Sequence, residues 1–418
     1  MRENLTAVLQ SVAPSLPLED EKRICPPKDT IARVMRLAPV MGITRLANIT
    51  GLDTIGIPVY TAHRPNSRSL SVMQGKGYTH DAAKASALME AVETWHAENM
   101  TLPLRFGSYA ELCCKNKIAD VSILPKFRDH AFTPHARIMW VEGDDLISGE
   151  KKFVPYEMVH MDYRSPLPCG HGCFTPSSNG LASGNDPLEA LIHGICEVME
   201  RDATTLWQLK SRDRQNLDKV DISTITDTRC VDIIGRFRRA KTPVGIWDLT
   251  GDTGVPVFLC RILSEAPSDF SGIRPASGMG CHLSKNIALL RALTEAAQSR
   301  LAFISGVRDD LSRRDYKKFL SPEEKVKWHD SVLNHPSPKN FPALPSFGSG
   351  SPDRDIAVLL RQLRKIGIRE VIAVDLTRPE FGIPVVRVII PGLEGVLSDT
   401  DILLGRRARE TLGGNEDS

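Results

Sequence analysis

A chain of 418 residues can form one large domain or two fused ones, and 41% apolar with 25% charged residues is the make-up of an ordinary soluble globular protein. The formal net charge is only +2, from 53 basic and 51 acidic side chains, so no basic excess points to nucleic acid. The N-terminus MRENLTAVLQSV lacks the h-region of a signal peptide, no apolar run approaches the roughly 20 residues of a membrane span, and nine cysteines spread along so long a chain argue against a disulfide framework; the expected location is the cytoplasm.

Taken in chain order, the elements repeat. Residues 46–60 (LANITGLDTIGIPVY) read as a hairpin: an apolar run, an Asp, then Gly-Ile-Pro-Val opening a second run, with proline where a strand needs no ladder donor. A glycine-rich lead-in, GKGYTHDAAKAS, precedes a helix at 84–95 (KASALMEAVETW). Cys169-Gly170-His171-Gly172-Cys173 then forms a compact cysteine cluster. A second lead-in, SSNGLASGNDPLEA, precedes a helix at 191–202 (LIHGICEVMERD). The hairpin pattern returns at 244–262, and SGMGCHLSKNIA leads into a third helix, LLRALTEAAQSR at 289–300, which is expected to run on into GVRDDLSRRDY. Asp81, Asp186 and Ser284 suit the three N-caps and Pro187 the first turn. A Pro/Ser/Gly-rich stretch at 336–352 reads as a surface loop or linker, followed by a short helix at 353–366 and a third hairpin at 371–389. Beyond Gly405 the chain reads as a flexible tail.

The three helices align on an acid: Glu90, Glu197 and Glu295, followed three residues later by Glu93, Glu200 and Gln298. Residues at i and i+3 share a helix face, so each helix presents a pair of oxygen ligands beside Leu, Ile, Met and Ala. A single such pair reads as a solvated face; three equivalent pairs point to carboxylates converging on one cleft. Converging carboxylates repel unless cations neutralise them, and magnesium carrying nucleotide phosphates suits such a site. Backbone N–H groups at glycine-rich helix starts favour anions. Gln74-Gly75-Lys76-Gly77 adds a cation, although it is no Walker loop, and an exposed turn lysine is the competing reading. Arg201 and Arg291 can pair with neighbouring acids or clamp phosphate. Cys169 and Cys173 around His171 can bind a soft metal or relay sulfur, but no second cysteine pair completes a zinc site. His193 reads as a core or hydrogen-bonded histidine more readily than as a base.

With these segments assembled, the sequence resembles the YcaO family. The resemblance rests on SVMQGKGYTHDAAKASALMEAVE (71–93), SSNGLASGNDPLEALIHGICEVMERDA (177–203), GMGCHLSKNIALLRALTEAAQSRLAFISGVRDD (278–310), the hairpin at 42–59 and PVVRVIIPGLEG (384–395). It implies an α+β fold of internally repeated β-hairpin plus helix units enclosing an ATP/magnesium cleft. Implied boundaries are an N-terminal extension (1–30), one pseudo-repeated domain (31–405) and a flexible tail (406–418).

The resemblance also implies an activity: ATP and magnesium phosphorylate a peptide amide oxygen, and attack at the amide carbon by a side chain, a sulfide equivalent or an amine gives an azoline, a thioamide or an amidine. Carried over residue by residue, the metal acids are Glu90, Glu93, Glu197, Glu200 and Glu295. The ATP and phosphate residues are Ser71, Lys76, Asn185, Glu189, Arg201 and Arg291. No side chain is assigned as a catalytic acid or base. Azoline-forming members often end in a PxPxP tail, and this chain ends GRRARETLGGNEDS, which favours the branch encoded with TfuA proteins, makers of thioamides. The first 30 residues are too few for a peptide-recognition module, so a TfuA-like partner or a separate leader-peptide-binding protein is expected, with a ribosomally synthesised peptide or a protein as substrate. A homodimer is compatible with the sequence but not specified by it. The alternative is a non-catalytic accessory factor for ribosomal-protein methylthiolation.

Overall fold

The computed structural model describes residues 24–263, 275–308, 322–348, 351–395 and 402–413. The elements used below are, in chain order, α1 (Pro27–Met41), β1 (Arg45–Asn48), β2 (Val59–His63), β3 (Val72–Lys76), α2 (His80–Glu98), β4 (Leu104–Ser108), β5 (Arg137–Asp145), β6 (Lys151–Pro155), β7 (Leu181–Ser183) and α3 (Pro187–Leu209). They continue with α4 (Thr228–Arg239), β8 (Val244–Asp248), β9 (Val257–Ile262), β10 (Ala276–Cys281), α5 (Lys285–Ser305), α6 (Pro352–Lys365), β11 (Ile372–Asp375), β12 (Val385–Ile389) and α7 (Arg406–Gly413). Among the described residues no helix is long and apolar enough to cross a membrane.

By its contacts the fold divides into two compact units: among the described residues one draws on 25–91 and 211–346, the other on 24, 92–210 and 347–413. Helix α2 passes from the first to the second after Ala91. The first unit contains two three-stranded antiparallel sheets, β1-β2-β3 and β8-β9-β10. Their registers correspond: Gln74 lies opposite Thr61, as Met279 lies opposite Leu259. Its core includes Ile57, Phe237, Phe258 and Leu293, all closed to solvent. The second unit contains a six-stranded sheet in the order β4-β5-β11-β12-β7, with β6 paired to β5.

The three hairpins of the sequence are all present, as β1–β2, β8–β9 and β11–β12. Each is extended by one more strand, β3, β10 or β7, and that strand leads into an acid-bearing helix. The third copy is permuted: β7 and α3 precede their hairpin in the chain, yet the sheet order β11-β12-β7 repeats β1-β2-β3. This ordering is invisible to a search that expects hairpin before helix.

The glycine-rich lead-ins have a packing cause. A Cβ on Gly75 would stand 2.0 Å from the Ala87 backbone nitrogen, and one on Gly278 would stand 2.2 Å from that of Ala296. Strands β3 and β10 therefore lie directly on the backbones of α2 and α5, which only glycine permits. The anion-binding reading of these glycines is thus not needed to explain them.

Several local expectations change. Helix α5 stops at Ser305 because Gly306 adopts the left-handed conformation (φ 62°), and residues 309–321 of the expected extension lie outside the described residues. Asp186 caps α3 by accepting from the Leu188 N–H, whereas α2 already begins at His80 and the Ser284 side chain makes no cap bond. The Pro-rich stretch is anchored: Phe341 is a core residue, and Lys339 sits 2.8 Å from both Asp218 and Asp248. Residues 406–413 form α7 instead of a flexible tail, because Arg407 makes a two-pronged bond to the buried Asp202 at 3.0 and 2.9 Å.

Candidate functional site

In the first unit each acid-bearing helix is tied to its own strand. The Gln74 N–H donates to Glu90 Oε2 at 3.0 Å, and the Met279 N–H donates to Glu295 Oε1 at 3.2 Å, with the same 16-residue separation in both copies. The repeat thus reproduces a specific hydrogen bond and not merely a pattern of residue types. Lys76, at the end of β3, pairs with Glu295 of α5. Arg291, one turn earlier on α5, directs Nη1 toward the Cys281 carbonyl at 3.4 Å. Ser71, half-buried, precedes β3, and its carbonyl accepts from the Arg64 N–H at 2.8 Å.

Solvent reaches Glu90, but the surrounding protein desolvates its carboxylate and pushes its pKa up to about 7. The Gln74 N–H, Lys76 and Arg308 oppose that rise, while the like charge of Glu295 adds to it. A carboxylate so placed gains most from a bound cation.

In the second unit Glu93 accepts from both the backbone N–H and the hydroxyl of Ser183, at 2.8 and 2.7 Å. Helix α3 carries Glu197, half-buried, and Glu200, buried with Arg201 Nη1 3.8 Å away. Glu189 accepts from the Asn185 N–H and the Ile24 N–H, each at 3.0 Å, so its carboxylate holds the turn into α3. Asn185 is half-buried in that turn, and His193 is half-buried on α3. The acids named from sequence therefore fall into two sets: Glu90 and Glu295 in one unit, and Glu93, Glu197 and Glu200 in the other.

Among the described residues no three His, Cys, Asp or Glu side chains are grouped as a metal cage. Magnesium does not require one, since it usually binds one or two carboxylates together with water and substrate phosphates. Two carboxylates, Glu90 and Glu295, each fixed by a strand N–H, fit such an ion.

The cysteine cluster builds something else. Glu157 accepts from the N–H groups of Gly172, Cys173 and Phe174 at 2.6, 3.1 and 3.0 Å, fixing the loop. Burial, with Glu157 adding to it, pushes the Cys173 thiol up to about 11, while Cys169 is exposed. His171 pairs with His160 through their Nε2 atoms at 2.6 Å. The Asp162 N–H donates to His160 Nδ1, so His160 Nε2 carries the proton and donates to His171. This is a hydrogen-bonded histidine pair within a tethered loop, and it accounts for the local sequence without a soft metal.

Sequence reasoning passed over Arg387, which is 1% exposed in the middle of β12. Its Nε donates to the Met158 carbonyl at 2.8 Å, its Nη2 donates to the Ser177 carbonyl, and its buried Nη1 has no partner. Burial pushes its pKa down to about 10, against the pull of Tyr163 and Glu197. The signal in the sequence was a lone arginine inside the apolar run VVRVII.

Repeated hairpin, strand and helix units carrying carboxylates define an α+β protein, and comparison with known proteins identifies its class. Residues 74–394 match the profile of the YcaO cyclodehydratases, described as ATP- and Mg2+-binding. An uncharacterized protein from the tfuA 3′ region of Rhizobium leguminosarum bv. trifolii is 37% identical over 403 residues, 94% of each chain. An uncharacterized protein of Methanothermobacter thermautotrophicus is 35% identical across 92% of this chain and 98% of its own length. A heterocyclase in complex with substrate and cofactor superposes with a TM-score of 0.77 at 25% identity, over 97% of this chain but 57% of that one. YcaO from Methanopyrus kandleri, bound with AMPPCP and Mg2+, shares the fold with a TM-score of 0.66 at 23% identity, over 89% of this chain and 92% of that one. The chain belongs to the YcaO family, whose cofactors are ATP and Mg2+.

Proposed function

We propose that this protein uses ATP and magnesium to activate a backbone amide of a peptide or protein, and that it belongs to the thioamide-forming branch working with a TfuA-like partner. Support for the chemistry comes above all from the duplicated strand-to-helix bond that holds Glu90 and Glu295 in matching positions. The branch is favoured by the relative from the tfuA 3′ region. ATP, when bound, supplies the phosphoryl group that turns a poor leaving oxygen into a good one. The chain's own task is then positioning and charge neutralisation. In this reading Glu90 and Glu295, and in the other unit Glu93, Glu197 and Glu200, hold magnesium. Lys76, Arg201 and Arg291, with Ser71 and Asn185, serve the phosphates. Glu189 acts one step back, by fixing the turn that presents Asn185.

The test is phosphate release from ATP in the presence of a co-expressed candidate peptide, followed by mass spectrometry of the peptide. Exchange of oxygen for sulfur supports thioamidation, and loss of one water supports azoline formation instead. Unchanged ATP turnover in Glu90→Gln and Glu197→Gln would overturn the metal-site assignment. Absence of peptide-dependent turnover with every partner would leave the accessory role as the better reading.

A further inference from the structure

Cys113 and Cys114 are adjacent in the chain and both exposed, whereas five of the nine cysteines are buried. Free cysteine usually packs inside as a small apolar side chain, so packing does not explain an exposed pair. The pair follows β4, at the end of a single helical turn, Tyr109–Leu112. That turn is held from several sides. The Ser108 hydroxyl accepts from the Glu111 N–H at 3.2 Å, and the Glu111 carboxylate accepts from the Ser108 N–H at 2.8 Å. The Ala110 N–H donates to the Pro134 carbonyl and the Cys113 N–H to the Tyr109 carbonyl, both at 2.9 Å. On this fixed backbone the two thiols converge: Cys113 Sγ lies 3.5 Å and Cys114 Sγ 3.7 Å from one acceptor, the Ala110 carbonyl oxygen. Desolvation, and after it the neighbouring Cys114, pushes the Cys113 thiol up, in keeping with two sulfurs that meet.

The spacing decides what such a pair can hold. Neighbouring Cα atoms stand about 3.8 Å apart across a trans peptide, less than the roughly 4.4 Å that an unstrained disulfide needs. A direct sulfur–sulfur bond is therefore disfavoured. A bridging atom makes the ring one atom larger, and bonds of about 2.3 Å to each sulfur let it reach both thiolates. Two adjacent thiolates repel, and a soft cation between them removes that repulsion. Glu111 is occupied by Ser108, with Arg137 3.4 Å away, and among the described residues no three His, Cys, Asp or Glu side chains form a cage. The pair thus suits a centre content with two sulfurs, a cuprous ion or a trivalent metalloid, better than zinc with its four ligands. We propose that Cys113 and Cys114 form a surface dithiol clamp that binds one such thiophilic centre. Magnesium, a hard ion that takes oxygen ligands, does not compete for it, so the clamp stands apart from the carboxylates assigned to nucleotide chemistry.

The test treats the reduced full chain with phenylarsine oxide and weighs the intact protein by mass spectrometry. Capture forms two arsenic–sulfur bonds and breaks two S–H bonds, and the arsenic-bound oxygen leaves as water without any change of oxidation state. The second thiol acts at an effective concentration of about millimolar or above. A monothiol such as 2-mercaptoethanol below that range should therefore leave one arsenical on each chain, and 2,3-dimercaptopropanol should remove it. Cys113→Ser and Cys114→Ser change exposed side chains, so both should melt with wild type, yet each should retain roughly tenfold less adduct under the monothiol wash. Cys169→Ser, which removes another exposed thiol, should retain as much as wild type. Cuprous ion titrated against a chromogenic chelator should show the same order. Retention by either of the two paired-cysteine variants equal to that of wild type, or none by wild type, would overturn the proposal, as would a loss confined to Cys169→Ser.

Discussion

Replacing Glu90 with glutamine should separate the stability of the protein from its use of nucleotide. The Glu90 carboxylate is raised from 4.5 to about 7 by desolvation. Between those values the folded chain holds a proton that the unfolded chain has lost, so this group makes stability fall as pH rises through that window. The full shift corresponds to about 3 kcal/mol, but solvent reaches the side chain and screening reduces the contribution to about 1 kcal/mol. Glu90→Gln should therefore melt at the same temperature as wild type near pH 5 and slightly higher near pH 8, when no metal is present. Magnesium with AMPPCP should reverse the order, because a cation stabilises the ionised carboxylate that glutamine cannot provide. Thermal denaturation at the two pH values, with and without magnesium and AMPPCP, checks all of this. If the variant gains as much from nucleotide as wild type does, Glu90 is not a metal ligand and the reasoning fails.

Gly278→Ala should cost about 3 kcal/mol in denaturant titrations, because its Cβ would meet the α5 backbone at 2.2 Å, whereas Gly51→Ala, with open space around it, should cost little. Arg407→Met should destabilise by about 3–5 kcal/mol by leaving the buried Asp202 unpaired, and adding Asp202→Asn should recover much of that in the same melting assay. His160 is held down to about 4 by burial, with His171 and Arg387 adding to the effect and Asp162 opposing it. As pH falls from 6.5 toward 4 the unfolded chain takes up a proton that the folded chain refuses, so stability is lost across that window. Melting temperatures of His160→Gln should fall less steeply over the same range.

The hairpins and acid helices were legible because both rest on local periodicity: Gly-Ile-Pro-Val marks a strand start, and the Glu pairs mark one helix face. The strands β3, β7 and β10 were harder to see. Gly75, Gly278 and Gly280 look like loop residues until the helix backbone they lie against is known. The meander β4–β5–β6 escaped notice because RIMWVEGDD alternates only loosely and its burial is decided by distant partners. Arg407 failed to signal order in the tail for a similar reason. Its partner, Asp202, lies 205 residues away and reads as the polar end of a helix. Arg387 could have been found, since a charge within an apolar strand is rare unless it has work to do.

The division of labour among the acids follows from the hydrogen bonds and not from the spacing alone. Glu90 and Glu93 occupy one face of α2, yet the first is tied to β3 and the second to β7. Two carboxylates three residues apart are thus held by different strands, which keeps each oriented without a shared cation. On α5 the equivalent of Glu93 is Gln298, whose buried Oε1 has no partner. A carboxylate there would add a further negative charge beside Glu295, which already engages Lys76. A neutral amide keeps the acceptor and omits that repulsion. The copy on α5 therefore reads as charge balance within its own unit: Glu295 is paired with Lys76 and its neighbour is a neutral amide, while Glu90 is raised to about 7 chiefly by desolvation.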